Sequence, residues 1–319
     1  MVQFPAGLPF KVNSITMNEI QQIQVSTKGA ELTSLVANGR EYLWQGDSQF
    51  WGCRAPILFP IVGRLSNDTL LIDGTEHKMK QHGFARDTEF VPLQMSATFD
   101  WLNGIRIIPN SDPIIMQMMH EQHENFPYEF NLKVRYALYE NALEVNWEVQ
   151  NSDDKTMFFQ IGAHPGFMLP DYCVDSAVHG FLRCYDNQGH IMKPVSFSHL
   201  IDGLRVPNAP REVENKKGLI PITNNTFAED ALLLDSGNIA SVGLIDINGK
   251  EIIRVSSPQA QVFGLWAPNK SGCPFVCIEP WCGVADKQGF HDDISKRDCI
   301  QSLASGKIYS FDYTIEILG

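Results

Sequence analysis

The stretch K-V-R-Y-A-L-Y-E-N-A-L-E-V-N-W-E-V (133–149) decides the fold class. Lys133–Leu138 and Leu143–Val149 alternate apolar and polar side chains, and Glu140-Asn141-Ala142 forms a short loop between them. A period of two sends alternate side chains to opposite faces of a strand, so the stretch reads as an antiparallel hairpin. The same signals recur on either side of it. Ile20–Val25 and Ser241–Ile247 are alternating or β-branched. Asn38-Gly39 precedes Arg40–Trp44, Asp73-Gly74 joins Leu70–Ile72 to Glu76–Met79, and Asn248-Gly249 joins Ser241–Ile247 to Glu251–Val255. Such dipeptides accept the positive φ of a tight hairpin turn. Helical patterns are brief, near Ala97–Leu102 and Ile294–Ser302, and the Pro- and Gly-punctuated stretch 203–226 reads as a long surface excursion. With no repeat or flexible linker in view, the expectation is a single all-β domain over 1–319, a large antiparallel β-sandwich with few short helices.

Composition bounds the function. Hydrophobic residues make up 44% and charged residues 19% of 319, enough for a substantial core and far from a disordered chain. A formal net charge of −12 without a Lys/Arg run leaves no electrostatic footprint for nucleic acid and none for anionic membranes. The first residues, M-V-Q-F-P-A-G-L-P-F-K-V-N, lack a basic-then-apolar leader, and no stretch reaches the ~18 apolar residues of a membrane span. Seven cysteines, an odd number, exclude a complete disulfide framework. The expected location is cytoplasmic, with reduced thiols.

Two segments carry candidate chemistry. I-G-A-H-P-G-F (161–167) and V-C-I-E-P-W-C-G (276–283) each set one proton-transferring side chain, His164 or Glu279, between an apolar run and a Pro or Gly turn. Imidazole and carboxylate are the natural acid–base pair at neutral pH, expected here on opposite sides of one substrate. The G-x-S-x-G elbow, the phosphate-binding P-loop and the dinucleotide fingerprint are absent. His120-Glu121-Gln122-His123-Glu124 has its histidines at i and i+3, the wrong spacing for a zinc-protease helix, and runs into Asn125-Phe126-Pro127. Cys273, Cys277 and Cys282, at C-x3-C-x4-C, lack the usual knuckle spacing and read as small buried thiols. His77, His179, His190, His199 and His291 stand in polar settings and read as solvated.

L-F-P-I-V-G-R-L (58–65), Q-H-G-F-A-R-D (81–87), G-A-H-P-G-F (162–167), F-A-E-D-A-L-L-L (227–234) and C-I-E-P-W-C-G (277–283) occur in that order. Together they resemble the aldose 1-epimerase (galactose mutarotase-like) family, with the nearest likeness to its bacterial LacX-type branch, over nearly the whole chain. The resemblance implies a β-supersandwich with an open groove across a concave sheet. It implies Glu279 as general base, His164 as general acid and His82 as a second histidine bonding the sugar near its ring oxygen. Arg64 and Asp230 would bind sugar hydroxyls, with Glu229 and Asp235 competing for the role of Asp230. Trp266 would stack on an apolar sugar face, with Trp281 and Trp51 as competitors.

The implied reaction interconverts the α and β anomers of an aldohexose through the open-chain aldehyde. It requires no cofactor, no metal and no partner beyond a small-molecule sugar; the expected state is a monomer or homodimer. Better-known galactose mutarotases have Asn-Arg where Gly63-Arg64 stands, two glycines after the second histidine where Gly83-Phe84 stands, and a different setting where Pro165-Gly166-Phe167 follows His164. These departures leave sugar identity open. Three alternatives remain beside the leading one. They are a sugar-binding or sensing protein, an enzyme on a hexose phosphate held by Lys78, Lys80 or Arg86, and a glycoside hydrolase using Asp230 with Glu279.

Overall fold

The structure is a computed structural model, which describes residues 19–93, 99–100, 104–107, 112–120, 125–193, 195–213, 215–235 and 238–319. The opening hairpin forms as Phe130–Leu138 and Ala142–Asn151, in a register pairing Val134 with Trp147 and Tyr136 with Val145. Its apolar positions are buried, and its loop is closed by the Tyr139 N–H donating to the Ala142 carbonyl. This hairpin lies inside a nine-stranded antiparallel sheet in which Ala142–Asn151 also pairs with the central, C-terminal strand Ile308–Ile317. A second sheet of eight strands runs Leu204–Glu212, Ser196–Ile201, Leu232–Leu234, Val262–Trp266, Phe275–Cys282, Ile161–Ala163 and Ile57–Leu58, with Gly166–Met168 also on Phe275–Cys282. A five-stranded sheet carries Ile20–Val25 at its centre.

One apolar core takes Trp147, Tyr136 and Phe311 from the nine-stranded sheet and Phe263, Leu265, Val276 and Ile278 from the eight-stranded one. Alternation then settles what the other face of the eight-stranded sheet carries. All eight residues of Phe275–Cys282 are buried. Val276, Ile278 and Cys282 enter the main core, while Cys277 and Trp281 pack in two satellite clusters on the far side. Glu279 shares the parity of those two and lies on the same face.

Several expectations are corrected. Within 203–226 the chain is more regular than expected, since Leu204–Glu212 forms a largely exposed edge strand on Ser196–Ile201. Polar alternation there is masked by Pro207 and Pro210, which an edge strand tolerates. Ile294–Ser302 holds only a single 3₁₀ turn, Ile294–Lys296, and Gln301–Leu303 is a strand paired with Met157–Phe159. Of Ala97–Leu102, only 99–100 are described, and they form a strand. His120 ends a strand, and the rest of its cluster, 121–124, lies outside the described residues. Asp73 and Gly74 both take positive φ, as do Asn38 and Gly39, but at 248–249 only Gly249 does. There the Asp246 carboxylate accepts from the Asn248 and Lys250 N–H groups and widens the loop. No helix among the described residues is long and apolar enough to cross a membrane.

Candidate active site

Two prolines open the sheet at the point where the pair meets. Gly162 pairs with Trp281 and Gly166 with Cys277, so the same antiparallel register carries His164 opposite Glu279. Pro165 and Pro280 have no N–H to give to the ladder, and the two short strands Ile161–Ala163 and Gly166–Met168 are broken between them. Side chains directly opposite in an antiparallel pair lie close together. His164 Nε2 is 3.2 Å from Glu279 Oε2. The approach is not aligned as a hydrogen bond, and Glu279 Oε2 and His164 Nδ1 are both buried without a partner. The expectation of opposite sides is therefore corrected: acid and base candidates stand side by side.

Glycines make the room. Gly264 is the register partner of Glu279 on the next strand. A Cβ there would stand 2.8 Å from Trp281 Cζ2, and one on Gly162 would stand 2.5 Å from Trp281 Cδ1. The Trp281 ring thus lies in a slot between two glycines, with its indole N–H donating to the Ala163 carbonyl at 3.0 Å. That makes Trp281 a buried wall of the site, leaving Trp51 and Trp266 as the partly exposed aromatic surfaces. Trp51 stacks on the His164 ring, centroids 4.7 Å apart, and Trp266 meets that ring edge-on at 5.5 Å.

His82 is held by backbone geometry. It sits at φ +66° beside Gly83 at φ +70°, where a Cβ would stand 2.2 Å from the Phe59 carbonyl oxygen. Its N–H donates to the Gly63 carbonyl, and Gly63 returns its own N–H to His82 Nδ1 at 3.1 Å. An Nδ1 that accepts leaves the proton on Nε2, so His82 is a neutral ring whose Nε2–H stands 3.2 Å from the Gln81 side-chain amide. Burial, then the neighbouring His164 and Arg86, hold its pKa well below the ordinary histidine value.

All six residues expected from the sequence, Glu279, His164, His82, Arg64, Asp230 and Trp266, line one cavity of about 470 Å³. Its size falls within the range of small-molecule sites, roughly 300–1,000 Å³. Asp230 is the half-buried carboxylate there, its pKa raised by burial. Its competitors are engaged outside the cavity, Glu229 with Arg211 and Asp235 with Ser198. Arg64 donates to the Asp202 carbonyl at 3.0 Å, so the turn between Ser196–Ile201 and Leu204–Glu212 forms a wall of the cavity. Burial pushes His164 down to about 3 and pushes Glu279 well above the usual carboxylate range, with Asp230 adding to the second shift. Burial thus favours the neutral form of both groups.

Gln81, Arg86 and Asp202 also line the cavity. The sequence signal for the first two was their place in Q-H-G-F-A-R-D; Asp202 carried none. Of the basic residues weighed for phosphate, only Arg86 reaches this cavity. Lys78 is tied to Thr69 Oγ1 at 2.7 Å, and Lys80 lines a different hollow. Cys277 and Cys282 face opposite sides of their strand, which breaks any C-x3-C-x4-C metal site. All seven cysteines are free. His77, His179 and His199 are buried rather than solvated, the last two beside Asn224 and Arg211, whereas His190 and His291 are exposed as expected.

The fold has counterparts among known proteins. A family model described as aldose 1-epimerase matches residues 12–316. Protein LacX (plasmid) of Lactococcus lactis subsp. lactis is 32% identical over 289 residues, covering 84% of this chain and 87% of that protein. A galactose mutarotase related enzyme from Lactobacillus acidophilus superposes with TM-score 0.81 at 27% identity, over 95% of this chain and 96% of the other. A galactose mutarotase-like protein from Lactobacillus casei ATCC 334 has the same TM-score at 24% identity, over 94% and 98%, and so bears on the fold alone. With its fold, its cavity and these likenesses in place, the chain belongs to the aldose 1-epimerase family, as an enzyme of the LacX-type branch.

Proposed function

We propose that the protein is a mutarotase interconverting the α and β anomers of an aldohexose. The observation that carries this reading is the His164–Glu279 pair, 3.2 Å apart on the floor of a sugar-sized cavity. The anomeric hydroxyl and the ring oxygen share one carbon, so an acid and a base that serve both must be near neighbours. Glu279 takes the proton of the anomeric hydroxyl while His164 gives one to the ring oxygen; the ring C–O bond breaks and the aldehyde forms. Rotation about C1–C2 turns the other carbonyl face inward, and the reverse transfers close the opposite anomer.

The pair holds a single proton throughout, first on His164 and then on Glu279, so its net charge stays at zero. Burial lowers the pKa of His164 and raises that of Glu279, which favours the transfer in the ring-opening direction. Hydroxyls of the bound sugar supply the hydrogen bonds the carboxylate otherwise lacks and bring it back to the charged form for the first step. His82 donates its Nε2–H near the ring oxygen, Arg64 and Asp230 bind hydroxyls, and Trp266 with Trp51 offers apolar ring faces to the sugar. A sugar-binding protein without chemistry would have no use for both groups buried face to face. A glycosidase pairing Asp230 with Glu279 would leave His164 idle.

A second reading, a phosphorylated hexose, is favoured by Arg64 and Arg86 both lining the cavity. Polarimetry on freshly dissolved α-D-galactose and α-D-glucose separates the two. Accelerated approach to an unchanged final rotation, lost in His164→Asn, supports the free-sugar reading. Exchange seen by NMR only with hexose 6-phosphates, and lost in Arg86→Met, supports the second. No acceleration of either substrate overturns both.

A further inference from the structure

The proposed chemistry leaves unused one metal-ligating side chain that lies beside the site, behind the cavity wall. Cys277 is two residues before Glu279 and shares its face of the strand, and His164 stands opposite Glu279. One ligating atom from each of the three lies within 4.8 Å of the other two. The cluster is buried, with Cys277 at 0% and Glu279 at 1% exposure, and it contains the unpartnered Glu279 Oε2.

Imidazole nitrogen, thiolate sulfur and carboxylate oxygen form a zinc-type donor set. The dimensions suit it as well. With metal–N and metal–O bonds of ~2.05 Å, two donors 3.2 Å apart subtend an angle of about 103° at the metal, close to tetrahedral. A metal–S bond of ~2.3 Å asks the sulfur to sit roughly 3.5 Å from each of the others, an adjustment of at most about 1.3 Å. His164 and Glu279 line the cavity, so the fourth position of such an ion opens toward it.

We propose that His164, Cys277 and Glu279 form a binding site for a thiophilic divalent cation of the zinc type, and that its occupation switches off proton transfer. Only the inhibitory half rests on the mutarotase reading. Binding exchanges protons for metal, one from the Cys277 thiol and one from the His164–Glu279 pair, with no change of oxidation state. The two groups needed to open the ring are then tied to the ion.

The test uses the full chain in two arms. Cobalt(II) titration is expected to give a thiolate-to-cobalt charge-transfer band that survives in Cys173→Ser, where the exposed thiol is removed, and disappears in Cys277→Ala. Zinc is expected to abolish anomer exchange, reversibly on adding chelator. In Cys277→Ala, with metal-free activity at the parent level, the half-inhibitory concentration should rise on the order of tenfold or more. Cys277→Ser replaces the alanine variant if that one does not fold. An absent band, an unchanged band in the Cys277 variant, or equal zinc sensitivity overturns the site. A normal band without inhibition overturns the switch. The cobalt arm needs no turnover, so failure of the site is distinguishable from failure of the mutarotase reading.

Discussion

Glu279→Gln separates chemistry from stability at one position. The substitution keeps the shape of a side chain that is 1% exposed and faces Gly264 across the register, so the cavity wall stays in place. What is lost is the proposed base. A positioned acid or base contributes about 10²–10⁴-fold, or about 2.7–5.5 kcal/mol of barrier. With Glu279 1% exposed, bulk solvent is a poor substitute for it, which places the expected loss at the upper end, about 10⁴-fold.

Stability should move the other way. The folded-state pKa of Glu279 lies well above its unfolded value of 4.5, because burial opposes the charge. Such a group contributes stability below 4.5 that is lost as pH rises toward the folded pKa, and glutamine is free of that loss. The melting temperature of the variant should therefore gain on the parent as pH climbs from below 4.5 to 7. The assays are polarimetry on α-D-galactose at pH 7 and thermal melts across that range. A variant that exchanges anomers as fast as the parent refutes the assignment of the base. A melting difference independent of pH refutes the account of its burial.

The pH profile of kcat/KM should be flat from just above pH 3 through neutrality, after subtraction of the buffer-catalysed rate. Below the value of about 3 to which burial pushes His164, the pair takes up a second proton and Glu279 ceases to be a base; an acid limb near 6.5 would show that His164 titrates as an exposed histidine. Gly162→Ala would place a Cβ 2.5 Å from Trp281 Cδ1, costing about 1–3 kcal/mol by overpacking and lowering activity through the shifted His164 segment. An unchanged melting curve would mean the slot for Trp281 is looser than described. Asp286→Ala would strip the buried Arg297 of its ion pair at 3.1 Å and Ser66 of its acceptor, costing about 3–5 kcal/mol in chemical denaturation. A loss under 1 kcal/mol would show that water compensates Arg297.

Local physics carries as far as the strands, the turns and the two candidate catalytic segments. Period-two alternation at 133–149 and the positive φ accepted by Asn38-Gly39 and Asp73-Gly74 are properties of neighbouring residues, so they are legible in sequence. The same locality explains the misreadings. Pro207 and Pro210 hide an edge strand because partner strands, not propensity, make it one. His77, His179 and His199 have polar neighbours in sequence but are covered by distant chain segments.

The five motifs contain Arg64, His82, His164, Asp230 and Glu279 without stating their geometry. Only tertiary pairing, Gly162 on Trp281 and Gly166 on Cys277, brings His164 beside Glu279. Only the return hydrogen bond from Gly63 sets the proton of His82 on Nε2. Strand register and burial depend on contacts between segments far apart in the chain, and those contacts decide which side chains share a cavity and which protonation states they hold.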